Sequence, residues 1–155
     1  MITKKAGTIL LNLKTKQIGL VYRESKKDYS FPKGHLEENE SLLDCAVRET
    51  EEETLRANHL LINKEIYILK YITPLGENVE NYMFISIDDG PSNKNISEKD
   101  REILKWVDFN DVEATLSYDD LKKMWLTVKD PINNIFKNNG IISTKDFTNF
   151  SICPD

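Results

Sequence analysis

This chain of 155 residues is poor in cysteine, in long apolar runs and in net positive charge. Its two cysteines, Cys45 and Cys153, make neither a metal-ligand spacing nor a disulfide framework. No run approaches the roughly 18–20 apolar residues that cross a bilayer. The apolar stretch after Met1-Ile2-Thr3-Lys4-Lys5 is interrupted by Asn12 and Lys14, too short and too polar for a signal peptide. The expectation is a cytoplasmic protein with no membrane partner. With 26 acidic against 21 basic residues and a net charge of -5, the chain is also not expected to bind nucleic acid generally, which requires a basic face. There is no internal repeat and no low-complexity segment.

What remains is a composition with 39% hydrophobic and 30% charged residues, which fits one globular domain whose single core must carry substrate and catalytic groups together. Runs rich in β-branched and aromatic residues predict strands over about 7–13, 17–22, 60–72, 82–87 and 103–109. Lys14-Thr15-Lys16 is compatible with a hairpin between the first two. Residues 41–57 space Leu43, Ala46, Val47, Thr50 and Ala57 at helical intervals, with Ser41 and Asp44 as a capping pair. A second helix is predicted over about 119–137, with an apolar face of Leu121, Met124, Trp125 and Val128 and a break or kink near Pro131. Residues 90–95 read as a loop. The tail beyond Gly140, with Ile141, Ile142, Phe147 and Phe150, is apolar enough to pack.

The chemistry concentrates in residues 31–54, FPKGHLEENESLLDCAVRETEEET. At about 100° per residue, Glu49, Glu52 and Glu53 share one helical face while Glu51 points away. Like charges at this spacing destabilise a bare helix by a few tenths of a kcal/mol, so their convergence calls for something positive between them. A hard divalent cation bound by oxygen is the natural answer, and Arg48 is placed to orient one of the carboxylates. A plainly solvated Glu-rich face is the alternative reading of the same four glutamates.

The spacing around them resembles the Nudix box: Gly, five residues, Glu, seven residues, Arg-Glu, an aliphatic residue, any residue, Glu-Glu, any residue, Gly, an aliphatic residue. Gly34, Glu40, Arg48, Glu49, Glu52 and Glu53 match in register, which places the box at 34–56. Thr50, Leu55 and Arg56 depart from it. Without a glycine at position 55, the helix is expected to run past Thr54 and end near Asn58, which could supply a left-handed cap. The resemblance implies an α/β/α sandwich with a mixed central sheet, a single domain over 1–155, and a C-terminal helix and tail at about 119–155. It implies Mg²⁺ or Mn²⁺ at a site formed by Gly34, Glu49, Glu52 and Glu53, with Glu52 or Glu53 as the base and Arg48 beside them. The implied reaction is attack of water on a phosphoanhydride of a small-molecule nucleotide, a nucleoside diphosphate derivative. Metals held by carboxylates suit that chemistry by neutralising phosphate charge and acidifying a bound water.

Phe31-Pro32-Lys33-Gly34-His35, with Ala46 and Arg48-Glu49-Thr50, resembles the dinucleoside polyphosphate branch of the family, in which Thr50 is expected. Lys33 and His35 then suit extra phosphates, although a loop histidine also serves as a cap for a carbonyl. Tyr82 is similar to a tyrosine that stacks on adenine in that branch, and a sheet tyrosine is the competing reading. Glu98, Asp100 and Glu102 precede Trp106-Val107, where relatives place an acidic residue serving as base or extra metal ligand. The rival activities are a nucleoside triphosphate pyrophosphatase, an RNA 5′ pyrophosphohydrolase and, from another class, a non-catalytic nucleotide-sensing module.

Overall fold

In the computed structural model, which describes residues 1–96 and 102–142, strand β1 (Ile2–Asn12) runs through the middle of one mixed sheet. On one side it pairs in parallel with β7 (Asn78–Pro91), from Ile2 opposite Asn78 to Leu11 opposite Ile87. On the other it pairs antiparallel with β2 (Gln17–Arg23) near its end and with β4 (Lys33–His35) near its start. Beyond β7 lie β5 (Arg56–Leu60) and β6 (Tyr67–Ile72). Beyond β2 lie β3 (Asp28–Ser30) and β8 (Glu102–Asp108).

Alternation along the strands gives the sheet two apolar faces. Ile9, Leu11, Met83, Ile85 and Leu69 bury against Met124, Trp125, Val128, Ile132 and Ile135 of helix α3 (Asp119–Lys137). A 3-10 turn (Phe109–Asp111) and the short helix α2 (Val112–Thr115) lead into it. The opposite face sets Ala6 and Phe84 against Cys45 and Ala46 of helix α1 (Leu42–Thr54). The result is the expected α/β/α sandwich with a mixed sheet. Among the described residues no helix is long and apolar enough to cross a membrane. Glu98, Asp100, Phe147, Phe150 and Cys153 lie outside the described residues.

Several local expectations need correction. The run over 60–72 is two strands: Leu61 still donates to the Ile85 carbonyl and Ile66 to that of Met83, while the exposed Asn63 and Lys64 loop out between them. Gly90 and Pro91 close β7 and do not belong to a loop. Helix α3 runs through Pro131 without ending. A mid-helix proline costs about 3 kcal/mol, but Leu121, Met124, Trp125, Val128, Ile132, Ile135 and Phe136 are all buried on this helix. At about 1.5–3 kcal/mol each, that burial outweighs the penalty.

Helix α1 begins as expected, with Ser41 Oγ accepting the Asp44 N–H at 3.1 Å. Its end differs from expectation. The helix stops at Thr54, and Leu55 itself takes the left-handed conformation (φ 58°, ψ 28°), its N–H bonded to the Glu51 carbonyl. Asn58 is no cap; it lies in β5 and its side-chain amide reaches the Val47 carbonyl at 3.3 Å. The helix is cut short because the following residues pair with β7, starting at Arg56 opposite Pro91. Its deepest face is Cys45, Ala46, Glu49 and Thr50, with Leu43 and Val47 only partly buried. Thr50 faces the sheet: its hydroxyl meets that of Thr8 at 2.8 Å, and Ser86 donates to Thr8 at 2.8 Å, all three fully buried. This hydroxyl chain fixes the helix's rotation, because a slip would leave buried polar groups unmatched.

A left-handed β-carbon costs roughly 1–2 kcal/mol that glycine avoids. Leu55→Gly should therefore raise stability by up to about 1 kcal/mol, since the leucine is 37% exposed and its lost burial offsets only part of the gain. Chemical denaturation measures this, and a loss of stability would show that the side chain contributes more than its conformation costs.

Candidate active site

The rotation set by Thr50 turns the glutamates of α1 toward β4. Glu49 is 7% exposed, and the approach is so close that a β-carbon on Gly34 would stand 2.1 Å from its carboxylate. A side chain at position 34 would have to push the Glu49 carboxylate aside, which glycine avoids. One helical turn on, Glu53 Oε1 accepts the backbone N–H of Lys33 at 3.0 Å. The strand carrying Lys33-Gly34-His35 is thus fastened to the acidic face at two points.

Arg48 holds the remaining carboxylates. Its guanidinium forms a fork with Glu40 (Nε to Oε2 2.7 Å, Nη2 to Oε1 2.9 Å) and donates to Glu49 at 3.2 Å and to Glu52 at 3.3 Å. It also donates to the His35 carbonyl at 3.0 Å. The Arg48 fork holds the Glu40 carboxyl below its usual range, and the same bonds raise the pKa of Arg48. Glu51 points elsewhere, as expected, pairing with Lys94 at 2.9 Å and accepting from Ser92 at 2.7 Å. Cys45 is a buried thiol pushed up to about 12 by desolvation, which makes it inert as a nucleophile.

Glu53 stands apart from the other three. Burial pushes its carboxyl up to about 8, repulsion from Glu102 and Glu49 adds to the shift, and Lys33 opposes it through its charge and its N–H. Glu102, at the start of β8, is therefore the acid of its loop that the described structure brings to the cluster. Among the described residues no three carboxylate, imidazole or thiol groups yet stand in one coordination shell, because Arg48 draws Glu49 and Glu52 to itself. The donor set nonetheless fits Mg²⁺ or Mn²⁺. It is all carboxylate oxygen, burial and the neighbouring Glu102 and Glu49 penalise a bare charge on Glu53, and Gly34 lets the Glu49 carboxylate lie against β4.

Lys33 also lines a cleft of about 470 Å³ on the α3 side of the sheet. Lys5, Arg23 and Lys26 give it further positive charge, and Tyr71 and Tyr118 give it aromatic surface. Lys5 Nζ lies 3.4 Å from the Tyr71 hydroxyl and 5.8 Å from the centre of its ring. Sequence reading identified only Lys33 among these, since the others come from distant segments and carry no local pattern. Tyr82 is placed on the opposite face, beside Phe84 and Ala6, with its hydroxyl on Glu80 at 2.9 Å and Lys4 5.9 Å above its ring. His35 is exposed, and its backbone carbonyl is what engages Arg48.

A family model described as the NUDIX domain matches residues 1–127. A Nudix hydrolase from Nitrosomonas europaea shares the fold at 12% identity and a TM-score of 0.66, covering 94% of this chain and 95% of that one. An Ap4A hydrolase of C. elegans, in a binary complex, does so at 19% identity and a TM-score of 0.67, covering 88% and 98%. A MutT protein from Bacillus halodurans is similar at 19% identity and a TM-score of 0.63, covering 82% of each chain.

The raised pKa of Glu53 has a signed consequence for the metal-free protein. An unfolded glutamate titrates near its ordinary value of 4.5 and the folded one near 8, so the native state binds more protons between those values. The stability this contributes is complete below the lower value and is lost as pH rises through the upper one. In excess chelator, wild type should lose roughly 3–5 kcal/mol from this group between about pH 4.5 and 8, and Glu53→Gln should flatten the slope. Denaturation curves across that range test it, and identical slopes for the two proteins would contradict it.

Proposed function

We propose, from the premise that this chain belongs to the NUDIX domain family, that it hydrolyses bis(5′-nucleosyl) tetraphosphates at a site shared by the α1 carboxylates and the Lys33 cleft. Pyrophosphohydrolase chemistry goes with the family. The narrower substrate rests on one observation: Lys33 joins the two regions, its N–H holding Glu53 while its side chain lines a cleft with three other cations and two tyrosines. That lining suits a long polyphosphate flanked by flat bases. A single cation beside the carboxylates would suit a shorter one.

In this reading Glu49, Glu52 and Glu53 hold Mg²⁺ or Mn²⁺, with Gly34 leaving room. The bound metal would neutralise phosphate charge and lower the pKa of an attacking water. Arg48 keeps Glu49 and Glu52 oriented, Glu102 adds negative charge next to Glu53, and Glu98, four residues earlier in the sequence, is a further candidate base. Lys33 draws phosphate toward the carboxylates, and His35 stands exposed at the entrance. Tyr82 is the weaker aromatic candidate because it faces away from the cleft, and Tyr71 and Tyr118 take the base-stacking role. We read residues 1–155 as one domain acting in the cytoplasm on small nucleotides.

With dinucleoside tetraphosphates, nucleoside triphosphates and 5′-triphosphorylated RNA as substrates, the tetraphosphates should show the highest kcat/KM. Glu52→Gln and Glu53→Gln should each lower kcat about a hundredfold or more with a smaller effect on KM, since they position charge for the transition state. Lys33→Ala should erode the tetraphosphate preference by the roughly 1.5–3 kcal/mol of a charge-assisted contact. A wild type that prefers triphosphates points to the sanitising reading. Preference for RNA points to the 5′ pyrophosphohydrolase, and binding without turnover to a sensing module.

A further inference from the structure

Asp28 takes no part in the acidic cluster, yet each of its side-chain bonds goes to a residue that lines the cleft. Its carboxylate is buried, 3% exposed, at the start of β3. Oδ1 accepts from Arg23 Nε at 2.8 Å, and Oδ2 accepts from Arg23 Nη2 and from the Tyr118 hydroxyl. Arg23 ends β2, and Tyr118 is the residue that caps the start of α3. Two bonds between Ser117 and the Tyr29 backbone reinforce the joint: Ser117 Oγ accepts the Tyr29 N–H at 2.8 Å, and the Ser117 N–H donates to the Tyr29 carbonyl at 3.3 Å. The bonds from Arg23 hold the Asp28 carboxyl below the usual range, so the ion pair persists through neutral pH.

We propose that Asp28 is a positioning residue for substrate, fixing the Arg23 guanidinium and the Tyr118 ring as a preformed wall for the portion of a polyphosphate substrate beyond Lys33. This rests on the reading of the cleft as the substrate site. A free arginine and a free tyrosine would each lose rotamer freedom on binding, and a buried carboxylate that orders both in advance removes that cost. Because Asp28 takes the Tyr118 hydroxyl, the far end of a ring that lines the cleft is held in place, which suits it to stack on a base. Arg23 commits Nε and Nη2 to Asp28 while lining the cleft, so its Nη1 donors are the ones left for phosphate. A short nucleotide held at Lys33 and the carboxylates would leave this wall unused, so Asp28 would act on long substrates selectively.

The test compares wild type, Asp28→Asn, Asp28→Glu and Tyr118→Phe by steady-state kinetics on a dinucleoside tetraphosphate and a nucleoside triphosphate, with thermal unfolding of each. Asp28→Asn should raise KM for the tetraphosphate about tenfold or more, leaving kcat and the triphosphate KM within about threefold. Asp28→Glu should recover part of the loss because it restores the carboxylate. Tyr118→Phe should raise the tetraphosphate KM several-fold through loss of the tether alone, and it decides the matter if Asp28→Asn does not fold. Lower melting temperatures with an unchanged ratio of the two KM values would overturn the inference, leaving Asp28 a purely structural tie. If wild type shows no preference for the tetraphosphate, the substrate reading fails by itself. The inference is then read on the inhibition constant of the dinucleoside tetraphosphate as a competitor of whichever substrate is cleaved, and it is overturned if the tetraphosphate does not compete or if neither variant moves that constant by more than about threefold.

Discussion

The guanidinium of Arg48, clamped by Glu40 and shared with Glu49 and Glu52, is the interaction on which the acidic helix depends. Four glutamates in five positions would repel one another on a bare helix. Here each has a separate answer: Arg48 for Glu49 and Glu52, Lys94 for Glu51, and the Lys33 N–H with a raised pKa for Glu53. The ion pairs answer three of the glutamates and leave Glu53 electrostatically unsatisfied. Glu53 and Glu102 remain crowded in a poorly solvated place, which is the condition that favours recruiting positive charge.

Two close approaches carry this geometry into the sheet. Gly34 lets β4 press against Glu49, and a β-carbon on Gly7 would stand 2.0 Å from the Pro32 carbonyl, so β1 admits the same chain segment from the other side. With the Thr50, Thr8 and Ser86 hydroxyls fixing how α1 sits, the loop before the helix has little freedom. Lys33 is then held between the carboxylates and the cleft by backbone placement as well as by charge. The catalytic and binding halves of the proposed site are therefore coupled through rigid elements.

The acidic box was legible in the sequence because its chemistry is local: six residues at fixed spacing on one turn and one helix. The two faces of the sheet were legible in outline from alternation, and the apolar stripe of α3 from its period. The end of α1 was not, because pairing of Arg56 with β7 forces Leu55 into a left-handed turn that no local propensity favours. Nor was the split of β5 from β6, since Leu61, Ile62 and Ile66 keep the apolar pattern running across the loop. Tyr82 carried a family pattern but no information about which sheet face it occupies. The cleft was the least legible part, because Lys5, Arg23, Tyr71 and Tyr118 meet only after the sheet and α3 have assembled.

The central claim is that the α1 carboxylates form a divalent-cation site that opens onto the Lys33 cleft. The most direct measurement is residue-resolved NMR during titration with Mn²⁺, whose paramagnetism broadens signals near the bound ion. The account predicts that Gly34, Glu49, Glu53 and Glu102 broaden first, that Lys33 follows, and that Glu49→Gln weakens the effect at all of them. Broadening that begins at another acidic surface, such as Asp88 and Asp89, while the α1 residues stay sharp would contradict it.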